Sequence, residues 1–270
     1  MRITLLGTGD ATGTPKIDCS CPTCKDALNG GQSERLRSAI LVETEKGRVL
    51  IDTGPDLRYQ LIREGITHVD GCIWTHSHYD HYAGFVEFHR IQKHVPVYGV
   101  TTTLDYILNY LHFLQPKRYD VRFHEPFELI GATFTLFEVS HPRLKDCAGM
   151  VIEENGKKVA ITGDTRLEIP VGSIEAMMGA DLLITDAIAP PEIRLIKHMN
   201  AEEALEMARR IDAKSVIFTH ISHLYPPHNK ASLYNSTQPN DEYTPEKLHS
   251  PQKRSDERWP LGYDRMKIRL

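Results

Sequence analysis

Long apolar runs are missing from this sequence of 270 residues. A membrane-crossing helix needs roughly 20 consecutive apolar residues, and no stretch approaches that length, so we expect no membrane span. The opening residues MRITLLG are too short, and too soon interrupted by glycine, to be a signal peptide. The sequence therefore predicts a cytoplasmic protein.

A strong charge of either sign is also missing, because the formal net charge is only −4 at pH 7. Proteins that depend on nucleic acid usually carry a basic excess. Nucleic acid is therefore not expected as a partner, although a local basic patch would be compatible with this total. No internal repeat of fixed short period is visible, which excludes a solenoid or a propeller.

Cysteines are few and odd in number, five in all. In a reducing compartment they do not predict a disulfide framework. Cys72 and Cys147 stand alone among apolar or small residues and are interpreted as small buried side chains. Cys19, Cys21 and Cys24 crowd into six positions, which indicates a metal site, a zinc knuckle near 19–24, rather than a disulfide.

Short apolar segments recur along the chain and predict a layered α/β protein. Several are continuously apolar, as in sheets that are covered on both faces. Helical patterns lie between them at 55–64, 83–93 and 201–211, the last preceded by Asn200 as N-cap with Glu203 three residues on. The predicted strands are 2–6, 38–43, 48–51, 72–75, 133–139, 149–153, 158–162, 182–185, 215–219 and 266–270.

Residues 225–260 differ in composition from the rest of the chain. They are rich in proline, asparagine, serine and balanced charge, with few apolar anchors. Such a segment is too polar to form its own core and predicts a long loop. Strand character returns at 262–270, so we expect one domain over 1–270 with a loop insertion near 225–260.

The densest chemical signal is the segment THSHYDH at 75–81, directly after the apolar residues 72–74. His76 and His78 are two apart at the end of an extended segment, so both imidazoles can face one cation. Asp80 and His81 follow as the chain turns into a helix, where they can face a second cation. A solvated polar turn is the alternative, but it gives no reason for so many ligand-type residues in six positions.

Three further ligand-type residues share one context, the end of a predicted strand. His141 follows 133–139, Asp164 follows 158–162 and His220 follows 215–219. In open α/β sheets, sites form at the carboxyl ends of the strands. A two-metal site needs a shared carboxylate and additional histidines, and these three residues supply them.

The His-x-His-x-Asp-His motif with its later histidine, aspartate and histidine resembles the metallo-β-lactamase superfamily, as do Leu6–Gly9 and Ile51–Gly54. The resemblance implies an α/β fold, a four-layer αβ/βα sandwich. It also implies that Asp52 supports the ligands from behind. The ligand sets it implies are His76, His78 and His141 for one ion, Asp80, His81 and His220 for the other, and Asp164 bridging both.

Within that superfamily, the Cys-x-Cys-x-x-Cys run is similar to the PhnP family of phosphoribosyl cyclic phosphodiesterases in phosphonate breakdown. Three thiolates need a fourth ligand to close a structural zinc site, and His223 offers one. The family also carries a histidine shortly before a helix, which His198 matches. Reduced buried thiols and an ordinary exposed histidine are the respective alternatives.

The resemblance implies a phosphodiesterase that uses a hydroxide held between two Mn²⁺ or Zn²⁺ ions, with one further structural Zn²⁺. We predict Asp80 and His198 as catalytic residues, His198 steadying the phosphate or protonating the leaving alkoxide. The expected partner is a small phosphodiester of the cyclic ribosyl type, and the family implies a homodimer. The alternatives are an RNA 3′-end nuclease of the same fold, a carbon–sulfur or carbon–nitrogen hydrolase, and a non-catalytic metal-dependent sensor.

Overall fold

The structure, a computed structural model, describes residues 1–235, 241–252 and 258–270. Within these ranges the chain forms two β-sheets. The strands are β1 (Arg2–Gly7), β2 (Ala39–Thr44), β3 (Gly47–Ile51), β4 (Gly71–Ile73), β5 (Pro96–Gly99), β6 (Lys117–Asp120), β7 (Pro126–Leu129), β8 (Ala132–Val139), β9 (Cys147–Glu154), β10 (Lys157–Ile161), β11 (Leu182–Asp186), β12 (Val216–Thr219), β13 (Glu242–Tyr243) and β14 (Lys267–Arg269).

Helices connect many of these strands. None of the helices in the described ranges is long and apolar enough to span a bilayer. Short 3-10 helices cover Ala83–Phe88, His112–Leu114 and Pro245–Lys247. The α-helices are α1 (Pro22–Leu28), α2 (Leu57–Glu64), α3 (Tyr79–Tyr82), α4 (Thr101–Leu111), α5 (Val171–Met177), α6 (Ala201–Arg210) and α7 (His228–Ala231).

Each sheet combines parallel and antiparallel strands. The first has the order β13-β14-β1-β2-β3-β4-β5-β6, and the second has the order β12-β11-β10-β9-β8-β7. Strands β3 to β6 run parallel, as do β10, β11 and β12. Because parallel neighbours end at the same edge, the segments that follow β4, β10, β11 and β12 meet at the carboxyl ends of their sheets.

The two sheets pack face to face, with helices on both outer faces. Strand β11 illustrates this arrangement. Leu182 and Ile184 point into the core between the sheets, whereas Leu183 packs outward with residues of α6. The outer face of the first sheet is covered by apolar residues of α2, α4 and the 83–88 segment. Strands buried on both faces explain the continuous apolar runs, and the predicted four-layer αβ/βα sandwich is confirmed.

Helix α6 begins at the predicted Asn200, whose side chain and that of Glu203 form a reciprocal capping box. The helix predicted at 83–93 is wrong in both type and length. Its place is taken by α3 and the 3-10 helix Ala83–Phe88. One physical reason is Gly84, where a Cβ would lie 1.9 Å from the Gly54 carbonyl oxygen, so tight backbone contact shapes this turn.

The predicted loop at 225–260 includes residues 236–240 and 253–257, which lie outside the described residues. Its described parts are less irregular than expected. They contain α7, the two-residue strand β13 and a 3-10 helix. Tyr234 and Leu248 are buried in the core between the sheets, so this segment has apolar anchors that its average composition conceals.

The first and last residues of the sequence are neighbours. β1 pairs antiparallel with β14, and the Leu270 amide donates to the Met1 carbonyl at 3.0 Å. Met1 precedes β1, which runs parallel to β3 and β4 because β2 is antiparallel to both β1 and β3. The two ends therefore lie at the edge opposite the carboxyl end of β4.

Candidate metal centre

Three histidines converge at the carboxyl ends of β4 and β8. The Nδ1 of His78 lies 3.1 Å from the Nε2 of His76 and 3.2 Å from the Nε2 of His141. A tetrahedral ion with metal–nitrogen bonds of about 2.0–2.1 Å holds its nitrogen ligands about 3.3 Å apart. The observed separations fit a single cation between the three rings.

A second set of donors adjoins the first through Asp164. One carboxylate oxygen of Asp164 lies 3.3 Å from the Nε2 of His81 and 3.7 Å from the Nε2 of His76. The other oxygen lies 2.8 Å from the Nδ1 of His220. Asp80 completes this set, 3.3 Å from the Nε2 of His81. Asp164 is therefore the one side chain that belongs to both groups of donor atoms.

Two ring nitrogens of this second set are buried without a hydrogen-bond partner among the described residues, the Nε2 of His81 and the Nδ1 of His220. The second atom is close to Asp164 but not oriented for a hydrogen bond. An unpaired buried polar atom is costly. The lone pairs of these two nitrogens and an oxygen of Asp164 face one position, as the ligands of a divalent cation do. Together with the first set, the residues therefore fit a pair of metal ions.

The two donor sets differ in the charge that their surroundings favour. Burial, reinforced by His81, holds the pKa of His76 well below its ordinary value, and burial lowers the pKa of His141 to about 4. These rings are therefore neutral, the form that binds metals. Burial would also lower the pKa of His220, but Asp164 outweighs it and raises that pKa to about 9. The carboxylates thus favour positive charge in the second set, from a proton or from a metal ion.

The donors are held from behind by hydrogen bonds. The Nδ1 of His81 lies 2.6 Å from Asp52, which also accepts from the Thr75 amide at 2.9 Å. The Nδ1 of His141 faces the Lys197 carbonyl at 3.1 Å. Such partners fix which ring nitrogen remains available to a metal. Asp52 and His220 both adopt left-handed backbone conformations, φ 59° and 57°, which cost free energy in residues other than glycine.

His198 lies between the two sets. Its ring stacks on His220 with centroids 5.0 Å apart and meets His141 edge-on at 4.9 Å. Its Nδ1 lies 2.8 Å from Asp186, the last residue of β11. Burial lowers the pKa of His198, but Asp186 reverses this and raises it. The opposite ring nitrogen is thereby left to carry a proton beside the candidate metal pair.

A separate cluster forms where α1 begins. Cys19, Cys21, Cys24 and His223 bring their ligand atoms within 4.8 Å of one another. The Nδ1 of His223 lies 3.4 Å from the sulfur of Cys19 and 3.6 Å from that of Cys21. Zinc with bonds of about 2.3 Å to sulfur and 2.0–2.1 Å to nitrogen separates these ligands by about 3.5 Å. The cluster fits one zinc ion.

The structure therefore brings together the residues predicted for each of the three metals, and their roles as ligands stay predictions. Asp52 contacts His81, as the sequence analysis expected of a supporting residue, and Asp186 contacts His198 in the same way. Lys197 was missed, because one lysine before a histidine carries no signal of its own. Only the fold reveals that its backbone carbonyl supports His141.

A family model described as "Beta-lactamase superfamily domain" matches residues 47–221, more than half of the chain. The structure is similar to the crystal structure of a new diphosphatase from the PhnP family, with a TM-score of 0.80 and 27% sequence identity, covering 100% of this chain and 97% of that one.

Two sequence relatives carry the names of other enzymes. The octanoyltransferase of Porphyromonas gingivalis is 29% identical over 243 residues, 85% of this chain and 48% of that protein, so the chain spans about half its length. Ribonuclease Z of Archaeoglobus fulgidus is 24% identical over 260 residues, 71% of this chain and 83% of that protein. With the family model matched over most of the sandwich, the chain belongs to the metallo-β-lactamase superfamily of hydrolases.

Proposed function

We propose that the chain is a dinuclear metal-dependent phosphodiesterase that hydrolyses a small phosphate diester. The observation that carries the proposal is the position of Asp164, one oxygen of which lies near both His76 of the first donor set and His81 of the second. His76, His78 and His141 would hold one ion, and Asp80, His81 and His220 the other. Bound there, two divalent ions would supply nucleophilic hydroxide near neutral pH and neutralise charge that develops on phosphate.

Cations at the rim of the site support an anionic substrate. Arg166 follows Asp164 by two residues, and its Nε donates to the Ser140 hydroxyl at 2.8 Å, beside His141. Lys197 precedes His198, and its positive charge adds to burial, the main cause that lowers the pKa of His78. Within the described part of the chain neither cation forms an ion pair with a carboxylate, which leaves both available to phosphate oxygens.

The residues around His198 suit a proton donor to the leaving group. Asp186 accepts from its Nδ1, which orients the ring and favours its protonated form. The rings of His141 and His220 fix it against both donor sets. A leaving alkoxide needs a proton as the ester bond breaks, and a positioned histidine can supply it.

A cyclic ribosyl phosphate is the substrate class that we favour, since the diphosphatase to which this chain is similar belongs to the PhnP family. The match to ribonuclease Z makes RNA the second candidate, and the rim cations would suit either ligand. The homodimer expected from the family is likewise a proposal, measurable by light scattering.

The proposal is tested by elemental analysis alongside hydrolysis of bis(p-nitrophenyl) phosphate. We expect about three metal ions per chain and cleavage that is lost on chelation and restored by Mn²⁺ or Zn²⁺. Ribosyl cyclic phosphate and a pre-tRNA with a 3′ trailer are then compared as substrates. Two or three bound metals without cleavage of any diester would contradict the phosphodiesterase and favour another ester class or a sensor.

A further inference from the structure

The pair Asp186–His198 depends on a short buried segment, Ala187–Ile188–Ala189, which directly follows Asp186. On one side it is tied to the residues after His198: the Ile188 amide donates to the Met199 carbonyl at 3.0 Å, and the Ala201 amide donates to the Ala189 carbonyl at 2.9 Å. A shift of this segment would therefore move both the aspartate and the histidine.

On its other side the segment is held by residues 219–225. The Ser222 hydroxyl donates to the Ile188 carbonyl at 2.6 Å, and the Ala187 amide donates to the Thr219 carbonyl at 3.1 Å. The Tyr225 hydroxyl lies 3.0 Å from the Ala187 carbonyl and 2.7 Å from the Ala189 carbonyl. A phenol has one hydrogen to donate, so this hydrogen is shared between two carbonyls that flank Ile188.

Tyr225 is in turn fixed by the cysteine cluster. Only 2% of its surface is exposed, and its carbonyl accepts from the Thr23 hydroxyl at 2.5 Å. Thr23 lies between Cys21 and Cys24, and the sulfur of Cys21 contacts the carbonyl of His223, two residues before Tyr225. A continuous path of buried contacts thus runs from the cluster through Tyr225 to the Asp186–His198 pair.

We propose that Tyr225 is a positioning residue, through which the cysteine cluster holds the Asp186–His198 pair in register with the metal centre. The inference rests on the proposed function, because it needs His198 to act on the leaving group. The cysteine cluster then contributes to the reaction as well as to the stability of the fold around α1. It positions the proton donor His198, although none of the cluster's own residues contacts His198.

The experiment compares leaving groups. p-Nitrophenolate is a weak base that departs without a proton, whereas phenolate benefits from one, so general-acid loss slows the phenyl ester more. kcat and KM are measured for methyl p-nitrophenyl phosphate and methyl phenyl phosphate with the metal-loaded wild type and with Tyr225→Phe. We expect the ratio of kcat for the phenyl ester to kcat for the nitrophenyl ester to fall about tenfold, with an unchanged metal content.

Tyr234→Phe is the matched control. Tyr234 is also a buried tyrosine whose hydroxyl donates to a backbone carbonyl, that of Val216, but it lies in the core between the sheets and does not contact residues 187–189. Its removal should leave the leaving-group ratio at the wild-type value. Thr23→Val is the second variant if Tyr225→Phe unfolds. It removes the hydrogen bond from the cysteine cluster to Tyr225 and should also lower the leaving-group ratio.

An equal ratio in the wild type and in Tyr225→Phe, or an equal fall in Tyr225→Phe and Tyr234→Phe, would overturn the inference while leaving the phosphodiesterase intact. Loss of the proposed function looks different, because then the metal-loaded wild type cleaves neither ester. His198→Ala gives the reference for the ratio without the donor.

Discussion

The two candidate metal regions are built on different principles. The His/Asp centre takes its donors from segments that follow β4, β8, β10 and β12, and nearly all of its side chains are buried. The cysteine cluster takes three donors from one short segment at the start of α1 and a fourth from His223, and three of the four are partly exposed. Strand ends of a packed sandwich position the first region. The second has no sheet to position it, so a metal would have to hold it together.

This comparison predicts different effects when a donor is removed. Removing a donor of the His/Asp centre should reduce catalysis, whereas removing a donor of the cysteine cluster should reduce the stability of the fold. The largest loss is expected for Asp164→Ala. Because Asp164 faces both donor sets, both catalytic ions should be lost and turnover should drop more than about 10³-fold, as measured by elemental analysis and by bis(p-nitrophenyl) phosphate hydrolysis. Asp146→Ala, an exposed carboxylate on the neighbouring turn, is the control. Full activity in Asp164→Ala would contradict the hypothesis that two metal ions share this carboxylate.

His198→Ala should slow a substrate with a basic leaving group by about 10²-fold. Both catalytic ions should remain bound, because each donor set is complete without His198. The measurement is kcat for methyl phenyl phosphate together with metal content. His124→Ala, at a histidine outside every donor cluster, is the comparison variant. Metal loss in His198→Ala would place this residue among the ligands instead.

Lys197→Met should lower kcat/KM for phosphodiesters by about tenfold, the scale of one charge-assisted hydrogen bond. The carbonyl that supports His141 belongs to the backbone and is unaffected. Lys93→Met removes an equally positive, exposed side chain before β5, at the opposite edge of the sheet, and should not change kcat/KM. Matching rates in both variants would exclude Lys197 from phosphate binding.

Cys21→Ser should have the smallest effect on the nitrophenyl ester, about threefold or less, together with loss of one metal ion. Its main effect should be a melting temperature lowered by about 5–10 °C, since a bound metal stabilises the fold that it selects. Cys72→Ala is the control, because it removes a buried thiol that lies in the apolar layer outside the first sheet and not in the cysteine cluster. A wild-type melting temperature in Cys21→Ser would argue against a structural zinc.

The sandwich and its donor residues were predictable because both leave dense local patterns. THSHYDH packs four donors into six positions, and His141, Asp164 and His220 each follow a predicted strand. Strands β5, β6, β7 and β13 were missed. Strand β7 has four residues and β13 has two. β5 is four residues long and begins with a proline, and β6 is a largely exposed edge strand of charged and tyrosine residues. Short strands without alternation carry too little signal to be separated from loops.

The sequence analysis did not identify residues whose contacts are distant in the sequence. The Tyr225 hydroxyl contacts carbonyls 36 and 38 residues away, and Tyr234 enters the core from a segment whose composition is polar. In each case a single aromatic side chain in a polar stretch is all that the sequence offers. Its partner is set by how the segment crosses the sandwich, which periodicity does not encode.

The adjacency of Met1 and Leu270 has a consequence for how this unit tolerates attachment. Both ends emerge together at the edge opposite the catalytic strand ends. Any further polypeptide joined at either end would begin on the far side of the sandwich, and a short linker joining the two ends would permit circular permutation.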